Sequence, residues 1–248
     1  MIIRGLQKTT LIDYPGKVAC TVFLAGCNFR CPWCHSFELV LPEKIKKLPK
    51  ISEKEFFRFL KGKKGLLDGV VLCGGEPTLN SDLPQFIKRI KKLGFLVKLD
   101  TNGSNPQILK SLLGKKLLDY VAMDVKAPLD GKILACAEAS AGRQISKYEK
   151  ATGVKVSLGD IKKSVEIIKG SGVDYEFRTT VVPGIHAKED IIQIVKDIGP
   201  ARAYFLQSFR SEKTLDPKFK RLKPYPKEFF LEIKQEIKKY FKICEARL

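Results

Sequence analysis

A chain of 248 residues with 44% hydrophobic side chains can bury a sizeable core and fits a single domain spanning 1–248. No apolar run approaches the roughly 20 residues that cross a bilayer. The opening MIIRGLQKTTLIDYPG lacks the apolar stretch of a secretory signal, so a cytoplasmic location and no membrane partner are expected. The formal net charge of +19 would suit an acidic partner, but the lysines are spread over most predicted helices, with no aromatic-interleaved arm. That distribution favours a solvated Lys-rich surface over a nucleic-acid interface.

Apolar, β-branched runs recur from Val18 onward and predict strands over 18–25, 69–73, 95–100, 119–124, 174–181 and 203–208. Their continuity, as in VACTVFLA, is that of buried parallel strands. Helical patterns fill the gaps. Ser52 and Glu55 form a capping box before Phe56, Phe59 and Leu60. Ser81 or Asp82 caps a helix with Leu83, Phe86, Ile87 and Ile90 on one face, and Gly94 ends it. Asn105 and Pro106 make an N-cap and first-turn pair. Further helices are expected over 160–169, 188–198 and 226–241. Six strand–helix units imply an α/β fold with a parallel sheet, a partial (β/α)6 TIM-like barrel. Only 129–157 resists this scheme; KILACAEASAGR within it reads as a short helical insertion, placed at 131–146.

Nearly every predicted strand ends in polar or Gly-rich residues: Gly26-Cys27, Gly74-Gly75-Glu76, Asp100-Thr101-Asn102-Gly103, Asp124 with Lys126, Arg178 with Thr180, and Gln207. In barrel-like α/β folds such ends line one mouth, where ligands bind. The most informative is the loop 26–36, where GCNFRCPWCH places Cys27, Cys31 and Cys34 in a C-x3-C-x2-C spacing. Three thiolates on one loop can each ligate a different iron of a cubane cluster, leaving the fourth iron open. Zinc with His35 as a fourth ligand is the alternative, but His35 is adjacent to Cys34 and no second ligand pair is present. Cys20, Cys73, Cys136 and Cys244 read as small apolar residues, and His186 as a structural or exposed loop residue.

The cysteine loop, with Trp33 before the third cysteine, resembles that of the radical S-adenosylmethionine (SAM) superfamily. The resemblance implies a [4Fe-4S] cluster on Cys27, Cys31 and Cys34 whose open iron is chelated by S-adenosyl-L-methionine. Reductive cleavage then gives a 5′-deoxyadenosyl radical, which removes a hydrogen atom from the substrate. CGGEPTL at 73–79 resembles the motif that holds the methionine ammonium, through Gly74, Gly75 and Glu76. LDTNG at 99–103, MDVK at 123–126 and FRTTVVPG at 177–184 are similar to the glycyl-radical-enzyme activating subgroup. There Asp100, Thr101, Met123 and Asp124 would surround a monovalent cation, while Asn102, Lys126, Arg178 and Gln207 would approach the cofactor with Trp33.

The opening GLQKTTLIDYPG and the central LDYVAMDVKAP look like the longer class of anaerobic ribonucleoside-triphosphate reductase activating proteins, over most of 1–210. Cys73 stands where that class often has Ser, and 131–146 departs from it. The expectation is therefore an oxidoreductase that installs a glycyl radical on a partner, an anaerobic ribonucleotide reductase, drawing electrons from a donor such as flavodoxin or ferredoxin. A radical enzyme modifying a nucleotide or RNA is the rival within this chemistry. A non-catalytic metal-binding module is the rival outside it.

Overall fold

The computed structural model describes residues 1–133 and 145–248. The helical insertion read at 131–146 and Cys136 therefore fall largely or wholly outside the described residues. Eight strands form one sheet: β1 (Ile3–Thr10), β2 (Ala19–Leu24), β3 (Gly69–Gly74), β4 (Leu96–Thr101), β5 (Tyr120–Asp124), β6 (Asp174–Val181), β7 (Ala201–Ser208) and β8 (Phe241–Arg247). They lie side by side in sequence order; β1 is antiparallel to β2, and every later pairing is parallel. Among the described residues β1 and β8 do not pair, so the sheet curves into an open barrel with two edges.

All six predicted strands are present, and two more flank them. β1 was illegible because only Ile3 and Thr10 of its eight residues are buried. β8 follows a predicted helix over 226–241 that overlaps it only at Phe241, and its residues carry no continuous apolar run. The helix ends at Ile237, a 3-10 turn covers Lys238–Tyr240, and Phe241 opens the strand, burying little more than Phe241 and Cys244.

The helices are α1 (Pro42–Ile45), α2 (Glu53–Lys61), α3 (Leu83–Lys92), α4 (Pro106–Gly114), α5 (Lys147–Thr152), α6 (Leu158–Lys169), α7 (Lys188–Ile198) and α8 (Lys227–Ile237). The capping box at α2 forms as read: Ser52 Oγ accepts from Glu55 N, and Glu55 Oε2 accepts from Ser52 N at 2.7 Å. Asp82 and Asn105 occupy their N-cap positions without capping. The Asp82 carboxylate instead takes the N-terminal ammonium, and the Asn105 amide donates to the Thr78 carbonyl at 3.1 Å.

Strand periodicity separates two faces. Val22, Leu72, Val97, Leu99 and Val121 point outward into the main core, against Phe86, Leu109, Ile161 and Ile194 of the helices. The inner face carries a small apolar floor of Tyr14, Ala19 and Val71. Above it Lys98, Asp100, Asp124, Glu176 and Arg178 line a cavity of about 850 Å³. The parallel register places these charges in adjacent rows, with Asp124 beside Arg178 and Ala122 beside Glu176.

Candidate active site

The cysteine loop leaves β2 at the mouth of this cavity, and Cys27, Cys31 and Cys34 all border it together with Trp33. Two strand-end segments hold the loop in place. The Gly75 and Glu76 amides donate to the Leu24 and Gly26 carbonyls at 2.8 and 2.7 Å. A Cβ built on Gly75 would lie 1.9 Å from Gly26 O, and one on Gly74, whose φ is +117°, would lie 2.4 Å from Leu24 O. The close approach that these glycines permit is thus to the root of the cysteine loop.

Glu76 is wholly buried away from the cavity wall and binds the chain itself. Its Oε1 accepts from Thr78 N, Thr78 Oγ1 and Thr101 Oγ1 at 3.1, 2.5 and 2.8 Å, and its Oε2 accepts from Asn102 N at 2.6 Å. Burial pushes its carboxyl up, against the pull of these donors. Asn102 carries the chain of contacts onward, donating to Asn28 Oδ1 at 2.9 Å beside Cys27. Glu76 and Asn102 therefore join the ends of β3 and β4 to the cysteine loop.

The next strand ends supply charge. Arg178 Nε donates to Asp124 Oδ1 at 2.7 Å and Arg178 Nη1 to Asp100 Oδ2 at 3.0 Å. Lys126 Nζ donates to Asp124 Oδ2 at 2.9 Å, and Lys98 pairs with Asp100. Burial opposes ionisation of both aspartates, yet Arg178 and the lysines outweigh it and hold both carboxyls below the usual range. Asp124 and Asp100 in turn hold Lys126 and Arg178 firmly protonated. Arg178 thereby offsets the repulsion between the two carboxylates. Of the four residues expected around a cation, Met123 is buried in the outer core with its methyl against Gly103, while Thr101 donates to Glu76. Gln207 lines the same cavity from β7, next to Thr180 of β6.

Sequence reasoning missed several members of this site. Lys98 and Glu176 are charges within otherwise apolar strands, a signal that was visible but not assigned to a role. Glu176 accepts from Tyr120 OH at 3.0 Å and from Arg247 at 3.3 and 3.2 Å. Arg247 was missed with β8, which carries it. His186, read as structural or exposed, is buried at 2% exposure. Its Nδ1 accepts from Val182 N at 3.0 Å, so Nε2 carries the proton and donates to the Lys126 carbonyl at 2.8 Å. Its ring meets Trp33 edge-on at 5.8 Å, tying the Lys126 turn to the cysteine loop.

The donor set fits an iron–sulfur cluster. All three loop cysteines are free thiols facing one cavity. Burial pushes Cys27 up to about 11 and Cys31 up to about 12, partly opposed by Lys126, and raises Cys34 as well. They are neutral thiols until metal replaces their protons. Among the described residues no three His, Cys, Asp or Glu side chains gather closely enough for a single metal ion. Thiolates serving three separate irons need no such convergence, whereas a zinc site does.

An open, mostly parallel α/β barrel with a three-cysteine loop at its mouth defines a cluster-binding enzyme of the radical SAM type. Residues 21–198 match the radical SAM superfamily, and the chain belongs to it. It is 35% identical over 248 residues to a Methanocaldococcus jannaschii protein provisionally named a glycyl-radical enzyme activating enzyme, covering 96% of this chain and 92% of that one. It is 29% identical over 211 residues to the pyruvate formate-lyase-activating enzyme of Clostridium pasteurianum, covering 79% and 76% respectively. Among solved structures, Streptococcus suis SuiB bound to S-adenosylmethionine shares the fold at a TM-score of 0.62 and 14% identity, over 91% of this chain and 51% of that one.

Proposed function

We propose that this protein is a glycyl-radical-enzyme activating enzyme, holding a [4Fe-4S] cluster on Cys27, Cys31 and Cys34 and S-adenosyl-L-methionine in the adjoining cavity. The observation that carries this reading is the meeting of three free thiols with the charged ends of β4, β5 and β6 in one cavity. When bound, cluster and cofactor supply a carbon-centred radical that can remove a hydrogen atom from a substrate. Lys126 and Arg178 offer cationic donors to the cofactor carboxylate, with Asp124 orienting both. Trp33, at 5% exposure, shields the loop from water. The substrate is the backbone Cα–H of a glycine on a partner protein, with an anaerobic ribonucleotide reductase as the partner. Low-temperature EPR of the reconstituted, reduced protein tests the reading. A four-iron signal that changes on adding S-adenosylmethionine is expected; zinc in place of iron, with no such signal, overturns it.

A further inference from the structure

The connection after β5, over 129–157, is the stretch that the strand–helix scheme left without a role, and α5 is its described helix. So short a helix does not persist alone, and its contacts hold it in place. Near its start Tyr148 is buried at 1% exposure, and its hydroxyl accepts from the Lys126 amide at 3.5 Å. Burial raises the phenol, opposed by the Lys126 amide and ammonium, with Cys31 and Asp124 also within electrostatic reach. His186 holds the carbonyl of the same Lys126 at 2.8 Å. One turn further on, a rise of about 5.4 Å, the helix ends at Thr152. Gly153 closes it in the left-handed conformation at φ +68°, its amide donating to the Glu149 carbonyl at 2.8 Å. Thr152 Oγ1 donates to the Tyr148 carbonyl at 2.8 Å and fixes this last turn. The Thr152 carbonyl, left without a partner inside the helix, accepts from the Arg30 amide at 2.7 Å. Arg30 lies between Cys27 and Cys31, and its guanidinium donates to the Cys27 and Phe29 carbonyls at 2.7 and 2.8 Å. A Cβ on Gly153 would lie 2.4 Å from Arg30 O, so the helix end and the cysteine loop touch backbone to backbone.

We propose that α5 is a strut that fixes the separation between the cysteine loop and the Lys126 turn, with Tyr148, Thr152 and Gly153 as positioning residues. The proposal rests on the proposed function, because it presumes a cluster on the loop and a cofactor carboxylate at Lys126. A ligand held at two points binds well only while those points keep their spacing, and a misplacement of about 1 Å loses much of the alignment. Strand register does not supply this spacing. Arg30 lies beyond the end of β2 and Lys126 beyond the end of β5, and β3 and β4 stand between those two strands in the sheet. α5 spans the gap directly, with one rigid turn between the Lys126 amide and the Arg30 amide. Packing accounts for the buried Ala151, but not for a helix end that accepts from the cysteine loop.

The test measures iron content, S-adenosylmethionine affinity and the EPR change on adding the cofactor, all on the cluster-loaded protein. It compares wild type with Gly153→Ala, Gly153→Asn, Thr152→Val and Ser146→Ala. Ser146 caps the opposite end of α5, its Oγ accepting from Glu149 N at 3.1 Å, and serves as the structural control. Gly153→Ala puts a methyl against Arg30, and Gly153→Asn does so with a residue that tolerates the left-handed region. Both Gly153 variants are expected to bind the cofactor roughly ten-fold or more weakly, with full iron and a diminished EPR change. Thr152→Val keeps the shape but releases the last turn, and a smaller loss in the same direction is expected. Ser146→Ala should lower the thermal midpoint and keep affinity within about two-fold of wild type. Wild-type affinity in Gly153→Asn would trace the effect to backbone strain and overturn the strut. Equal losses in Ser146→Ala, or iron lost in step with affinity, would do the same, since helix stability or loop folding would then be the cause. Wild-type behaviour in every variant defeats the strut and leaves the proposed function standing. Absence of a four-iron signal in wild type defeats the proposed function, and the strut falls with it.

Discussion

Asp124 lies at the junction of the charged network, accepting from both Lys126 and Arg178. Asp124→Ala leaves two largely buried cations one partner short, a loss of about 3 kcal/mol in stability. The same change is expected to weaken S-adenosylmethionine binding about ten-fold, roughly the value of one charge-assisted hydrogen bond, with iron content unchanged. Calorimetric titration checks this; normal binding would remove Asp124 from the cofactor site. His186 offers a separate test through pH. Burial lowers its folded-state pKa to about 4, below the usual value near 6.5. The unfolded chain therefore takes up the proton first as pH falls, so stability is fully present above about 6.5 and declines toward pH 4. Denaturant unfolding should show a loss of about 2 kcal/mol from this residue between pH 7 and pH 5, absent in His186→Gln. An unchanged pH slope in that variant would contradict a buried neutral imidazole.

Between elements, the contacts that position the loop are backbone contacts, which makes glycines sensitive. Gly75→Ala places a methyl against Gly26 O and displaces the start of the cysteine loop. Reconstituted iron should fall to less than half of the wild-type content, while far-UV circular dichroism stays near native; full iron loading would show that the loop tolerates the shift. The capping box at α2 lies away from the site and is a purely structural element. Ser52→Ala should cost about 1 kcal/mol in stability and leave iron content unchanged, measured by thermal unfolding.

At the scale of the molecule, the sheet is open and its last parallel strand is short of buried apolar surface. β8 covers the edge of β7 and brings Arg247 to the buried Glu176. Truncation after Tyr240 exposes the β7 edge and removes this ion pair, so a lower thermal midpoint and concentration-dependent aggregation are expected. Monodisperse behaviour of the truncated chain in light scattering would show that the edge is protected otherwise. The segment after β7 is held to the cysteine loop by Asp216 N on the Pro32 carbonyl and by the Lys213–Glu38 pair.

Much of the site was legible without coordinates because its signals are local. The spacing of Cys27, Cys31 and Cys34, the Gly-Gly-Glu turn and the polar strand ends lie within short stretches of chain. The six inner strands were legible because parallel strands covered on both faces read as near-continuous apolar runs, as in VACTVFLA. Edge strands need no such run, so β1 and β8 left no pattern, and Arg247 went unread with β8. The role of Glu76 also depended on three dimensions: its partners Thr101 and Asn102 are 25 and 26 residues away and meet it only through parallel register. The same holds for Arg178, which reaches Asp100 and Asp124 across 78 and 54 residues. Sequence by itself determined the chemistry the loop can support and the kind of sheet that presents it. Tertiary structure alone decided which charges neutralise one another, because that depends on which strand ends the register brings within hydrogen-bond reach.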